Sequence, residues 1–294
     1  MECIKKFRSF LEEREHDMTQ QTFPVGRKPR VVISQVEGNL TVRSWKEQMV
    51  SVQTDGPVGE LRREGDTVMI IGCGSSIELL VPAIRNFGFF SITTDISVTN
   101  LSGHATIEDV GDVQLKEIGG NAMLRNIGGD VTLENIREVA ELSGVGGDLR
   151  AMSVSKLLAR KGIGGDASLS DVPYMELSAI GGDLSVARSE SVVVNNIGGD
   201  VNVEGVGAVL HCGNVGGDCN VEGSARAEVS VGNIGGDLQV SSAARVEAKN
   251  IGGDCQVRDV QGDASVRVVG GDVTFMGVQG NRHVGLVGGS TRYR

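Results

Sequence analysis

Nine aspartates stand directly after a glycine pair in this chain: Asp130, Asp148, Asp166, Asp183, Asp200, Asp218, Asp237, Asp254 and Asp272. Carboxylates repeated beside glycine turns are the raw material of calcium sites, because a hard cation gathers carboxylate and carbonyl oxygens from neighbouring turns. Nonapeptide β-rolls do this with the pattern G-G-x-G-x-D-x-U-x. Here the middle glycine is missing and the aspartate follows the pair at once, as in "NIGGDVTLENI" from Asn126 to Ile136. Two readings follow. The row binds cations weakly along its length, or it is a structural corner with no metal or cofactor. In the second reading each aspartate accepts N–H groups of its own turn, and the glycine before it supplies a positive φ.

Other chemistry finds little support. His16, His104, His211 and His283 are single and scattered, without cysteine or carboxylate partners at zinc-ligand spacing. Cys3, Cys73, Cys212, Cys219 and Cys255 form no C-x-x-C pair and no even-numbered framework, which points to reduced thiols. No G-x-S-x-G elbow, P-loop or G-x-G-x-x-G fingerprint is present. Enzymes built on β-helices surround two or three carboxylates with long loops. The repeat leaves no room for such loops, so we expect a protein that is not an enzyme and has no catalytic residues. A formal net charge of −10 opposes binding to phosphate backbones, which excludes nucleic acid as a partner.

The elements that position the aspartates are set by the repeat. The first glycine of successive pairs falls at Gly119 and then, after a step of 9, at Gly128, Gly146, Gly164, Gly181, Gly198, Gly216, Gly235, Gly252, Gly270 and Gly288, at intervals of 17 to 19 residues. Each interval holds two nine-residue units, such as "GGDVTLENI" and "REVAELSGV". Nine residues make one short strand and one turn. Val131 and Leu133 share a strand face, and Ile136 turns back inward before the next corner. One unit cannot bury that face alone, so the units must stack. The expected fold is all-β, a β-solenoid of about 18 residues per coil with two strand-bearing faces. A propeller blade would need a period of ~40 residues. If the chain winds this way from Val31 onward, it makes roughly fifteen coils and a rod about 70 Å long at ~4.8 Å per rung.

Stacking makes columns. Asn126, Asn196, Asn214, Asn233 and Asn250 stand two residues before the glycine pair and should form an amide ladder. Cys219 and Cys255 fall two coils apart, ~9.6 Å, too far for a disulfide.

Three segments are expected: a tail or short capping helix over 1–30, an irregular strand region over 31–102, and the regular solenoid over 103–294. Ile4, Phe7, Phe10 and Leu11 fall at helical spacing in the first. Residues 1–17 are either part of the natural product or an extension before Met18. "IRNFGFF", Ile84 to Phe90, reads as a partner-binding loop or as a packing plug. "MECIKKFRSFLEEREHD" lacks the apolar stretch of a secretory signal, and no run reaches the ~20 apolar residues of a membrane span. The expectation is a cytoplasmic protein, with a surface location left open.

The units "EGNLTVRSW", "IELLVPA", "GDVQLKEI", "GGDVTLENI" and "GGDVNVEGV" resemble the DUF4097 family, bacterial β-strand-repeat proteins with the provisional label of putative adhesins. The resemblance implies a β-helix-like fold and supplies no catalytic residues. A looser likeness is to bactofilins, which are cytoskeletal β-helix polymers. Two functions follow as expectations. One is a structural rod that self-associates end to end with further copies of itself; the other is an adhesin-like module that binds a surface, a ligand or an unidentified protein.

Overall fold

The computed structural model describes residues 19–26, 29–82, 84–86, 89–91 and 95–294. The helix expected around Ile4 to Leu11 lies outside them. No helix among the described residues is long and apolar enough to cross a membrane.

The regular block is a parallel β-solenoid. One coil shows how the sequence builds it. In Val131–Val145, the side chains of Val131, Leu133, Ile136, Ala140, Leu142 and Val145 all point inward and are no more than 5% exposed. Thr132, Glu134 and Glu141 point outward, as strand alternation requires. Alternation alone would send Asn135 inward. It stands instead at φ +58°, in the left-handed region, which shifts the phase by one residue and brings Ile136 to the core. The same step recurs rung after rung at Asn100, Glu117, Ser153, Asp171, Arg188, Ser242 and Asp259. This is the corner between the first face, carrying Val131 and Leu133, and the second face, carrying Ala140 and Leu142.

Successive coils keep strict register. On the first face Val113 pairs with Val131, Val131 with Leu149 and Leu149 with Ala167. On the second, Ala122 pairs with Ala140 and Ala140 with Leu157. The interior is therefore a continuous ladder of aliphatic side chains. About 11 turns stack in this way.

Two further coils join the stack at the N-terminal end, in an order the chain does not follow. β1 is Thr19–Pro24, β2 Arg30–Val36, β3 Leu40–Trp45, β4 Met49–Thr54, β5 Val58–Glu64, β6 Thr67–Cys73 and β7 Ile77–Pro82. β2 and β3 form the coil next to the regular block, pairing parallel with Asp95–Leu101 and Ala105–Glu108. β6 and β7 form the coil beyond it. β5 then runs antiparallel on β6, β4 antiparallel on β7, and β1 antiparallel on β4. These antiparallel strands extend the two sheets beyond the last parallel coil. They also explain why the stack falls short of fifteen coils: residues in β4 and β5, counted in the winding from Val31, pair antiparallel instead. "IRNFGFF" contributes Ile84–Asn86, which pairs antiparallel with Phe89–Ser91. The packing of its phenylalanines lies outside the described residues.

At the other end the inward positions change character. Tyr293 follows Phe275 in the core column and stacks on it, with ring centroids 5.9 Å apart. Arg282 lies 5.9 Å over the Tyr293 ring and donates a 2.8 Å hydrogen bond to the Val278 carbonyl. An aromatic ring thus lies over Phe275, with a guanidinium beside it.

Candidate functional site

The aspartate row is the first candidate. Each carboxylate accepts, through Oδ1, the backbone N–H of the aspartate one coil further on. Asp148 donates to Asp130 at 2.8 Å, Asp166 to Asp148 at 2.9 Å, and Asp183 to Asp166 at 2.8 Å. The series continues through Asp200, Asp218, Asp237, Asp254 and Asp272, each at 2.7 to 2.8 Å. It also extends beyond the nine residues read from the glycine pairs. Asp112 accepts from Asp130 at 2.9 Å, Asp95 from Asp112 at 3.2 Å, and Asp272 from Ser290 at 2.7 Å. Asp95 and Asp112 lack the Gly-Gly prefix, which is why the motif passes over them. The donors therefore come from the next coil, and not from the residue's own turn as expected.

The glycines also play a different part from the one expected. None of the Gly-Gly pairs has a positive φ. They are required by close approach. A Cβ added at Gly181 would meet the Gly164 carbonyl oxygen at 2.2 Å, and one at Gly182 would meet Asp166 Oδ1 at 1.9 Å. The corner is itself hydrogen-bonded from coil to coil, with Gly147 donating to Gly129 and Gly165 to Gly147, both at 3.0 Å. Bonds of that length across a corner leave no space for a side chain.

One oxygen of each carboxylate is engaged by an N–H, and only the other faces outward. No group of three metal-ligating side chains exists among the described residues.

The asparagine column is a ladder where expected. Asn214 donates to Asn196 at 2.8 Å, Asn233 to Asn214 at 2.7 Å and Asn250 to Asn233 at 2.6 Å. Asn126 donates to Asp109 instead, at 3.1 Å. His104 has a structural role: its Nδ1 accepts from the Asn121 N–H at 2.8 Å, continuing a short ladder that begins at Asn39.

Cys219 and Cys255 are buried and separated by Leu238 in one core column, two rungs apart. Burial pushes the Cys255 thiol up to about 12. Sequence spacing did not reveal that Cys212, on the second face, hydrogen-bonds with Cys219. That bond, followed by burial, raises the Cys219 thiol well above its ordinary value. On the surface, the Arg188 guanidinium bonded to Asp171 holds that carboxyl below the usual range.

The outer faces are the second candidate, and their columns differ in charge. On the first face, one outward column runs from Ser97 through Gln114, Thr132 and Arg150 to Thr274 and Arg292 without a single carboxylate. On the second face the matching column contains Glu141, Glu176 and Glu247. Shallow depressions of about 380 and 270 Å³ lie end to end along the first face, lined by this column from Thr132 to Gln256 and by Glu134, Glu204, Glu222 and Arg258 of the column beside it.

The stacked two-faced coils define this chain as a parallel β-solenoid with an N-terminal antiparallel cap. Its sequence matches Toastrack DUF4097 over residues 10–272, and the chain belongs to that family. Among solved structures it is similar to a putative adhesin from Parabacteroides merdae, at 8% identity and a TM-score of 0.23 over 95% of this chain and 97% of that chain. A putative adhesin from Parabacteroides distasonis matches at 11% identity and a TM-score of 0.21, over 95% and 98% of the two chains. One from Bacteroides fragilis matches at 12% identity and a TM-score of 0.20, over 95% and 97%. No curated protein matches the chain.

Proposed function

We propose that this protein is a non-catalytic, adhesin-like rod that engages an extended partner along its flat lateral faces. The observation that carries this reading is the constancy of the coil. Register holds on both faces from Ile96 to the last strands, so among the described residues of the regular block no long loop rises to build a cleft. What such a molecule offers a partner is a pair of long regular surfaces.

End-to-end self-association is the second reading. Arg282–Val287 and Thr291–Tyr293 each pair on one side only among the described strands, and such edges can template another chain. Against it, the strands at the first end run antiparallel and break the parallel winding that a further coil would continue, and Arg282 and Tyr293 take inward positions in the last coil at the other end. Light scattering and negative-stain microscopy of the purified chain separate the two. A monomer at all concentrations supports lateral binding, and filaments that lengthen with concentration refute it in favour of the second reading.

A further inference from the structure

The first-face column carries a feature that the fold does not use. Over six consecutive rungs it presents Ser168, Ser185, Asn202, Asn220, Gln239 and Gln256, all uncharged and all able both to donate and to accept. All but the half-buried Gln256 are exposed. In a chain with 22% charged residues and a net charge of −10, a neutral run of this length stands out from its surroundings.

These side chains do not bond to one another. Among the described residues, Asn202 reaches Glu204 at 3.3 Å, and the other five make no side-chain hydrogen bond. The contrast is with Asn196, Asn214, Asn233 and Asn250, the same residue type in the same coils, whose amides close on each other at 2.6 to 2.8 Å. The corner ladder uses its hydrogen-bonding capacity for the fold. The face column keeps its capacity free, among the residues that line the two depressions together with Glu134, Glu204 and Glu222 of the adjoining column.

We infer that this column, from Ser168 to Gln256, is a binding surface for a neutral polysaccharide lying along the rod axis. The inference rests on the lateral-binding reading above and names its partner. Hydroxyl-rich polymers without charge match a column without charge that offers both donors and acceptors, and Glu204 and Glu222 of the adjoining column add carboxylate acceptors for sugar hydroxyls. The rungs repeat at ~4.8 Å, close to the length of one pyranose ring, so consecutive sugars can meet consecutive rungs. An extended peptide is the competing neutral polymer. Its side-chain repeat of ~6.6 to 6.8 Å falls out of step with the rungs within a few residues. The column carries no aromatic ring for sugar stacking, so each rung contributes weakly and attachment depends on many rungs acting at once.

The test is co-sedimentation of the full-length chain with cellulose and chitin, and affinity electrophoresis in dextran, with alginate as the anionic control. Asn220→Val/Gln239→Val removes two amides while keeping strand-compatible side chains. Ser230→Asp, in the outward column of the second face, is the control. Circular dichroism and melting temperature report that all variants fold. The expected result is retention by at least one neutral polymer and weakening by about tenfold in the double variant. Ser230→Asp should bind as the unmodified chain does, and short oligosaccharides should compete far less well than long ones. Retention unchanged in the double variant overturns the inference. Loss with Ser230→Asp alone overturns the choice of face and leaves lateral binding standing. Retention only by alginate, or by no polymer, overturns the neutral polysaccharide. The light-scattering experiment above tests the rod reading independently of all these results.

Discussion

Gly128 and Gly146 are both the first glycine of a Gly-Gly-Asp corner, yet only one of them is sterically confined. A Cβ at Gly146 would lie 2.4 Å from the Gly128 carbonyl oxygen, whereas one at Gly128 would lie 3.7 Å from the Val110 oxygen, an ordinary contact. Neither glycine has a positive φ. To bring 2.4 Å to a tolerable 3.4 Å, Gly146→Ala must open the corner by 3.4 − 2.4 = 1.0 Å. The bonds from Gly146 to Ile127 and from Gly147 to Gly129, at 2.9 and 3.0 Å, would then stretch past hydrogen-bonding range. Two such bonds at about 1 kcal/mol each, with some residual strain, give a loss of about 2 to 3 kcal/mol. Gly128→Ala should be neutral or stabilising by up to about 1 kcal/mol, because alanine narrows the unfolded ensemble.

Urea denaturation followed by circular dichroism measures both variants. Melting temperature should move by about 2 to 4 °C per kcal/mol. If the two alanines destabilise equally, conformational freedom and not close approach is what the corner requires, and the steric account fails. If Gly146→Ala is silent, the rungs are looser than their hydrogen bonds imply.

The aspartate row yields a related test. Asp183→Ala removes the acceptor of the Asp200 N–H and should lose about 1 kcal/mol, while Asp183→Asn keeps an acceptor, relieves repulsion along the row and should be close to neutral. An asparagine as damaging as alanine in urea melts would show that the charge itself is needed. Because Oδ1 is occupied along the row, millimolar calcium should leave the melting temperature unchanged; a clear upward shift would restore the cation reading. Cys255 holds its proton more tightly folded than unfolded, so its contribution to stability is complete below the ordinary thiol pKa of ~8.5 and declines as pH rises toward about 12. Melting temperature should therefore fall between pH 8 and 11, less steeply in Cys255→Val, and native Cys255 should resist alkylation at pH 8.

The period, the two faces and the identity of the core were legible because glycine pairs mark every coil and strand alternation does the rest. The reason for the glycines was not. Positive φ and close approach both select glycine, and a linear sequence does not separate them; only the 2.2 to 2.4 Å distances to carbonyl oxygens of the preceding coil do so. The left-handed step at the opposite corner is harder still to read. Asn100, Asn135, Asp171 and Asp259 are residue types that tolerate it, but Glu117, Ser153, Arg188 and Ser242 are not, and the stacked strands on either side hold them there. The order of the N-terminal coils depends on pairings between β2, β6 and Asp95–Leu101 that no local pattern announces. The contact between Cys212 and Cys219 was missed because they lie on different faces, and counting coils aligns residues only within one face.

Repetition makes every column of a solenoid conspicuous, so conspicuousness is a poor guide to function. What separates the columns is where their hydrogen bonds go. The aspartate row and the Asn196 to Asn250 ladder direct their acceptors and donors along the rod, rung to rung, and each member stabilises its neighbour. Their regularity is a condition of stacking and needs no ligand to explain it. The serines and amides from Ser168 to Gln256 share that regularity but leave nearly all of their side-chain capacity unspent, in depressions on an otherwise charged surface. Selection for stability alone favours β-branched side chains at exposed strand positions over asparagine. In the proposed polysaccharide site, the four consecutive amides at Asn202, Asn220, Gln239 and Gln256 would direct to a partner the capacity that the corner asparagines direct to one another.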